Sequence, residues 1–199
     1  MLNDMDQPCI IILAAPSGSG KTTIAARLLE ERPSISFSVS ATTRAPRAHE
    51  ESGVHYHFLN LEEFEKRRRQ GELLESEEVY PGCWYGTLKS EVDKSSRHKP
   101  ILLDIDVMGA IRVKELYQDQ CLALFIRPPS LDELKNRLSA RGTETDESLA
   151  ERLGKASHEL SFADSFDFVV VNDILEDAVG EVVDLVDRFV EGGAPLNRS

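Results

Sequence analysis

Residues 15–22 read Ala-Pro-Ser-Gly-Ser-Gly-Lys-Thr, a set of types and an order suited to gripping a polyphosphate. Glycines at 18 and 20 let backbone N–H groups turn inward around a β-phosphate, and a helix starting immediately afterwards adds partial positive charge. The Lys21 ammonium can bridge β- and γ-phosphates, and the Thr22 hydroxyl can face Mg²⁺. Ala15 stands where the usual pattern has its first glycine, and alanine is the smallest substitute. A nucleoside triphosphate is therefore expected against Ala15, Pro16, Ser17, Gly18, Ser19, Gly20, Lys21, Thr22 and Thr23. The acceptor is not named by this loop, which switch GTPases, ATPases and small-molecule kinases share.

A second group of residues has the chemistry of an acceptor pocket. Arg44 and Arg47 lie three apart on either side of Pro46. The planar arginine fork suits bidentate phosphate recognition, so two of them in a stiffened loop can hold a second phosphate facing the first. Two solvated surface arginines would have the same spacing. Tyr56 and Tyr85 each carry a hydroxyl on a rigid ring, suited to a phosphate oxygen or to ordinary aromatic packing. Ionised Glu75 is acceptor-only and can receive two adjacent donors, or it can be a solvated strand residue as Glu77 and Glu78 read. Asp106 follows an apolar run, where ligands gather in open α/β sheets, and Asp104 shares its strand face. Asp106 can hold a Mg²⁺-bound water, a ligand edge or both, or it can cap the turn that follows. The histidines have no nucleophile or metal-ligand partner at telling spacing, and the basic run 66–69 reads as a solvated helix face.

Apolar runs supply the scaffold that must position these groups. Residues 9–14, 101–105, 122–126 and 168–171 have the pattern of strands buried on both faces, and 36–40 completes a set of five. Helices are expected at about 21–31, from Asn60 with Glu63 to Gly71, from Ser130 with Glu133 to Gly142, and at about 146–158. A final helix, capped by Asp173 with Glu176, has an apolar face of Leu175, Ala178, Val179, Val182, Leu185, Val186 and Phe189 and stops at Gly192. Strands alternating with helices imply an α/β fold around a five-stranded parallel sheet. Residues from about 40 to 89 break that rhythm with polar loops, short strands at 55–59, 73–79 and 84–87, and a Pro81-Gly82 turn, which implies a small inserted α+β subdomain.

The 199 residues suffice to bury a core without disulfides or metals and suit one domain. Cys9, Cys83 and Cys121 lack metal spacing and suit free thiols in a reducing cytoplasm. No apolar run is long enough to span a bilayer, and Asp4 and Asp6 stand where a secretory leader would be basic. A cytoplasmic chain without membrane or nucleic-acid partners is expected. The net charge of −12 is uneven: residues 159–199 hold ten acids and two bases, which leaves −4 for the first 158. Basic groups in that part are free to cluster around an anionic ligand.

Together, residues 15–23, 37–47, 53–58, 71–75, 84–87, 101–109, 128–153 and Asn172-Asp173 resemble the guanylate kinases, over about residues 9–189 of the chain. The arginine loop, the Asp104-Ile-Asp106 segment and Arg141-Gly-Thr-Glu-Thr-Asp-Glu-Ser148 are specific in combination. The resemblance implies the P-loop nucleoside monophosphate kinase fold in a single domain. Its core would lie at about 8–39, 90–136 and 160–191, a GMP-binding subdomain at about 40–89, and a helical lid at about 137–159. It implies transfer of the γ-phosphoryl group of ATP to GMP, with dGMP as an alternative acceptor, giving ADP and GDP with Mg²⁺ as cofactor. Carried over by residue, Arg44, Arg47, Tyr56 and Tyr85 would hold the GMP phosphate. Ser40, Glu75, Thr87 and Asp106 would read guanine, with Asp104 beside them. Arg137, Arg141 and Arg152 would approach the phosphates from the lid, and Asn172 would lie at the adenine pocket. Catalysis would rest on Lys21, Arg44 and those three lid arginines.

The implied chemistry is self-consistent. Guanine presents N1–H and a 2-amino group side by side, and adenine presents neither, so a carboxylate acceptor can reject the wrong base by roughly 10⁴-fold. The accepting phosphate oxygen is largely ionised at neutral pH, so in-line transfer needs positioning and charge stabilisation rather than a strong base. An interaction domain of the same fold would typically lose Lys21, a kinase for another acceptor would not need Glu75 and Thr87, and a switch GTPase would carry an Asn-Lys-x-Asp motif absent here. Departures from the family pattern at Cys83-Trp84, His49 and Met108 bear on the posture of Tyr85 and on the Asp106 turn.

Overall fold

The computed structural model describes residues 7–47, 50–140 and 146–192. The chain opens with β1 (Ile10–Ala14), α1 (Lys21–Glu31) and β2 (Ser36–Phe37). It continues through β3 (Ala41–Thr42), β4 (His57–Phe58), α2 (Leu61–Arg69), β5 (Leu73–Tyr80), β6 (Cys83–Leu88) and a short α3 (Lys89–Val92). It returns with β7 (Ile101–Asp104), α4 (Val107–Tyr117), β8 (Cys121–Arg127), α5 (Leu131–Ser139), α6 (Asp146–Leu160), β9 (Phe168–Val171) and α7 (Leu175–Val190).

Five strands form a parallel sheet in the order β2-β7-β1-β8-β9. The central strand β1 is buried along its whole length because helices cover both faces. Ile11 and Leu13 pack on one side with Ile24 and Leu28 of α1 and Val182 and Val186 of α7. Ile10 and Ile12 pack on the other with Val107, Ala110 and Val113 of α4. Burial on both faces is why this strand reads as an unbroken apolar run. The inserted segment builds a second sheet in the order β4-β3-β6-β5, closed over Ala41, Phe64, Leu73 and Leu88.

Local signals hold at several boundaries. Asn60 Oδ1 accepts the Glu63 N–H at 2.8 Å and Ser130 Oγ accepts the Glu133 N–H at 3.0 Å, so both expected caps form. Gly71 and Gly82 adopt φ of 70° and 75° at the end of α2 and in the β5–β6 turn. The basic run on α2 is solvated and paired locally, Arg67 with Glu63 and Glu72 and Arg68 with Glu65.

Elsewhere the structure corrects the sequence reading. The second strand stops at Phe37; Ser38 still donates to Leu102 O at 2.9 Å, and the chain then crosses to the second sheet, where Ala41 pairs with His57 and Gly86. Helix α4 lies where no helix was expected, with Asp106 as its cap: Oδ1 accepts the Gly109 N–H at 2.9 Å. The expected Asp173 cap does not form, because α7 starts at Leu175 and Ile174 takes the cap position. Helix α5 ends at Ser139, and Gly142, its expected stop, lies outside the described residues. Among the described residues no helix is long and apolar enough to cross a membrane.

Candidate active site

The loop after β1 lies at the end of the parallel sheet, between that strand and the start of α1. Gly18 and Gly20 have φ of 94° and 90°, a region that side chains with a Cβ rarely adopt. Asn172, just beyond β9 and 5% exposed, donates Nδ2 to Ser19 O at 2.8 Å. A Cβ on Gly20 would fall 2.2 Å from that same nitrogen. Asn172 thus sits against the loop backbone and braces it. The Lys21 ammonium donates to Ile105 O at 2.8 Å and pairs with the Asp104 carboxylate, so the end of β7 holds the lysine beside the loop. Thr22 and Thr23 are exposed on the first turn of α1.

The arginine loop leads out of β3. Arg44 is gripped end-on: Nη1 and Nη2 donate to the two oxygens of Glu50, each at 2.9 Å. Its Nε donates to Tyr85 Oη at 3.1 Å. The guanidinium carbon lies 5.4 Å from the centre of the Tyr56 ring, and Tyr56 and Tyr85 meet edge to face. Arg44, and then the Arg47 N–H, hold the Glu50 carboxyl down to about 2. The Arg47 side chain itself is exposed.

Three of the four predicted base readers, Glu75, Thr87 and Asp106, meet where β5, β6 and α4 converge. Glu75 is 7% exposed, and its Oε1 accepts the Thr87 hydroxyl at 2.8 Å. A Cβ on Gly109 would lie 2.9 Å from Glu75 Oε2 and 3.2 Å from Asp106 Oδ2, so the two carboxylates approach each other across a single glycine. Burial pushes the Glu75 carboxyl up to about 7, the Asp106 charge adds to this, and the Thr87 hydrogen bond opposes it. Asp106 therefore caps α4 and also borders the pocket. Arg112 of α4 pairs with Glu77 of β5 at 2.7 Å, a second tie between the core and the inserted sheet. Ser40 lies at the β3–β4 edge, where its carbonyl accepts the His57 N–H at 2.8 Å.

Two arginines of the expected lid can be located. Arg137 of α5 donates Nε to Glu133 at 2.9 Å, and Arg152 of α6 donates Nη2 to Ser17 Oγ at 2.9 Å, which brings α6 onto the phosphate loop. Leu134, Leu138 and Ala156 pack α5 against α6. Arg141 lies outside the described residues. Burial raises the Glu159 carboxyl of α6, with the Asp106 charge adding and Lys155 and Lys21 opposing, so this acid also feels the cleft. Sequence reasoning missed Glu50, Gly109 and Glu159. Glu50 had a signal, an acid six residues beyond an arginine in a turning loop; the other two become visible only in three dimensions.

A triphosphate loop on one strand, with a carboxylate-lined pocket reached from the strand beside it, is the arrangement of the P-loop kinases, which pass a phosphoryl group between two bound small molecules. Comparison with known proteins narrows the class. The sequence model for guanylate kinase matches residues 7–189. The chain is 55% identical over 181 residues to a guanylate kinase of Salinibacter ruber, covering 91% of this chain and 96% of that one. It is 46% identical over 182 residues to a guanylate kinase of Bacteroides fragilis, covering 91% and 89%. Its fold is similar to a crystal structure of guanylate kinase from Anaplasma phagocytophilum, with a TM-score of 0.71 and 32% identity over 94% of this chain and 87% of that one. The chain belongs to the guanylate kinase family. The activity that goes with membership is ATP:GMP phosphotransfer, in which the γ-phosphoryl group of ATP passes to GMP and yields ADP and GDP.

Proposed function

We propose that the cleft carries out this transfer in line, between ATP on the β1–α1 loop and GMP held by residues of about 40–89, with about 137–159 closing as a lid over a core formed by the remaining segments. The observation that carries the acceptor assignment is Glu75, a buried carboxylate with one oxygen on Thr87 and the other turned toward Asp106. Guanine N1–H and its 2-amino group satisfy that acceptor pair, whereas adenine leaves it facing a lone pair. Ser40, Thr87 and Asp106 complete the base contacts.

Arg44, Arg47, Tyr56 and Tyr85 hold the GMP phosphate, and Lys21 exchanges Asp104 for phosphate oxygens when ATP arrives. The backbone of residues 15–23 cradles the ATP phosphates, with Asn172 supporting it from beneath. Arg137, Arg141 and Arg152 bring positive charge from the lid, and Arg152 already reaches Ser17 at 2.9 Å. An oxygen of the GMP phosphate forms the new bond to the γ-phosphorus as the bond to the β–γ bridging oxygen breaks, and the electron pair leaves on ADP. No protein base is required; lid closure excludes water and so suppresses ATP hydrolysis.

The exposed Thr22 hydroxyl on the first turn of α1 and the carboxylates at the end of β7 are hard oxygen donors, and they fit Mg²⁺, which binds through one or two protein oxygens plus substrate phosphates. Thr22 would hold the ion and Asp106 a water on it, and its chemistry is to neutralise charge on the phosphates. The free thiols Cys9, Cys83 and Cys121 support a cytoplasmic setting.

A coupled ADP-release assay with ATP against GMP, dGMP, AMP, CMP and no acceptor tests the reading. GMP-dependent turnover, lost on Lys21→Met or Arg44→Met, is expected; turnover with AMP but not GMP would overturn the role of Glu75.

A further inference from the structure

We infer that Glu50 is a positioning residue for the acceptor phosphate: it clamps the Arg44 guanidinium so that the Nε–Nη2 edge is the one presented to the ligand. The inference rests on the assignment of Arg44 to the GMP phosphate. An arginine has five N–H donors, and the structure accounts for four of them here. Nη1 donates to Glu50 Oε2 at 2.9 Å and to Ala45 O at 2.8 Å, Nη2 donates to Glu50 Oε1 at 2.9 Å, and Nε donates to Tyr85 Oη at 3.1 Å. The remaining Nη2 hydrogen lies on the same side as Nε–H, and together they make the second fork that a guanidinium offers to an oxyanion.

Glu50 is suited to hold rather than to be displaced. Its side chain is 7% exposed, and its Oε2 also accepts the Arg47 N–H at 2.7 Å. One carboxylate therefore fixes the side chain of the first arginine and the backbone of the second. Tyr56 and Phe58, whose ring centres lie 5.4 Å and 5.7 Å from the guanidinium carbon, limit its movement out of plane. The Tyr85 hydroxyl on Nε is neutral, so an arriving phosphate competes there with a weaker acceptor than it would meet at Glu50.

The test compares wild type, Glu50→Gln and Glu50→Asp by steady-state kinetics, and by calorimetric binding of GMP and of guanosine. Glu50→Gln should raise KM for GMP about tenfold, the loss of one charge-assisted hydrogen bond, while leaving KM for ATP within about twofold and guanosine binding unchanged. Glu50→Asp, which keeps the charge, should recover part of the loss. Tighter GMP binding by Glu50→Gln would show that the carboxylate competes with the phosphate and would overturn the inference. Unchanged KM for GMP, or equal losses for GMP and guanosine, would overturn it as well. Absence of GMP-dependent turnover in the wild type would instead refute the assignment on which it rests.

Discussion

Replacing Glu75 with glutamine should make the protein more stable and a poorer kinase of GMP. The carboxyl is 7% exposed and is pushed from an ordinary 4.5 to about 7, chiefly by burial and further by the Asp106 charge. A group with a raised pKa in the folded state favours folding while it is protonated. Below about pH 4.5 it is neutral in both states; between 4.5 and about 7 only the unfolded chain ionises and stability falls; above that the folded protein carries the full cost of a buried charge. At 1.36 kcal/mol per pH unit, that cost is about 3 kcal/mol. Glutamine keeps an acceptor for Thr87 and turns an amide, in place of a second charge, toward Asp106. Urea unfolding should therefore show Glu75→Gln more stable than wild type by about 3 kcal/mol at pH 8 and by under about 1 kcal/mol at pH 5. The same variant sets a donor against a guanine donor, so KM for GMP should rise by about 10²-fold or more with KM for ATP unchanged. A stability difference that is equal at the two pH values, or that favours wild type at pH 8, would refute the argument from burial. An unchanged KM for GMP would refute the argument from guanine.

The raised carboxyl also predicts that kcat/KM for GMP falls about tenfold per unit as pH drops below about 7, because Glu75 must be ionised to accept, while KM for ATP stays flat over that range; a pH–rate profile in each substrate checks this. Gly109→Ala places a methyl 2.9 Å from Glu75 Oε2, and KM for GMP should rise about tenfold in steady-state assays even though alanine favours a helix by about 1 kcal/mol. Gly20→Ala demands φ near 90° and a contact 2.2 Å from Asn172, so it should lower stability by more than about 2 kcal/mol and abolish ATP binding, measured by thermal unfolding with and without ATP.

Features decided by near neighbours were legible in the sequence. The limits of α1, the caps at Asn60 and Ser130 and the left-handed stop at Gly71 depend on a few adjacent residues, and all of them appear as expected. Helix α4 was hidden because Gly109, Ile111 and Val113 weaken its helical character; its apolar face is completed only by packing against the sheet. The strand at Ser36 is shorter than its pattern because the chain must leave the core sheet to enter the inserted one. In the site, residue types and the family resemblance named candidate phosphate and base contacts, but their pairings did not follow from spacing. Lys21 meets Asp104 because β1 lies next to β7, a neighbour 91 positions away at Ile10 and Ile101. Glu75 meets Asp106 because β5 packs on α4, and Glu50 meets Arg44 because a loop doubles back.

The bond from Asn172 to Ser19 joins residues 153 apart. On a growing polypeptide, the glycine-rich segment leaves the ribosome among the first residues, yet both strands that flank β1 and the amide that steadies its loop are made much later. A nascent chain therefore carries the letters of a triphosphate site long before it carries the site. The brace that Asn172 gives the glycine-rich loop is therefore completed only in a chain translated past residue 172.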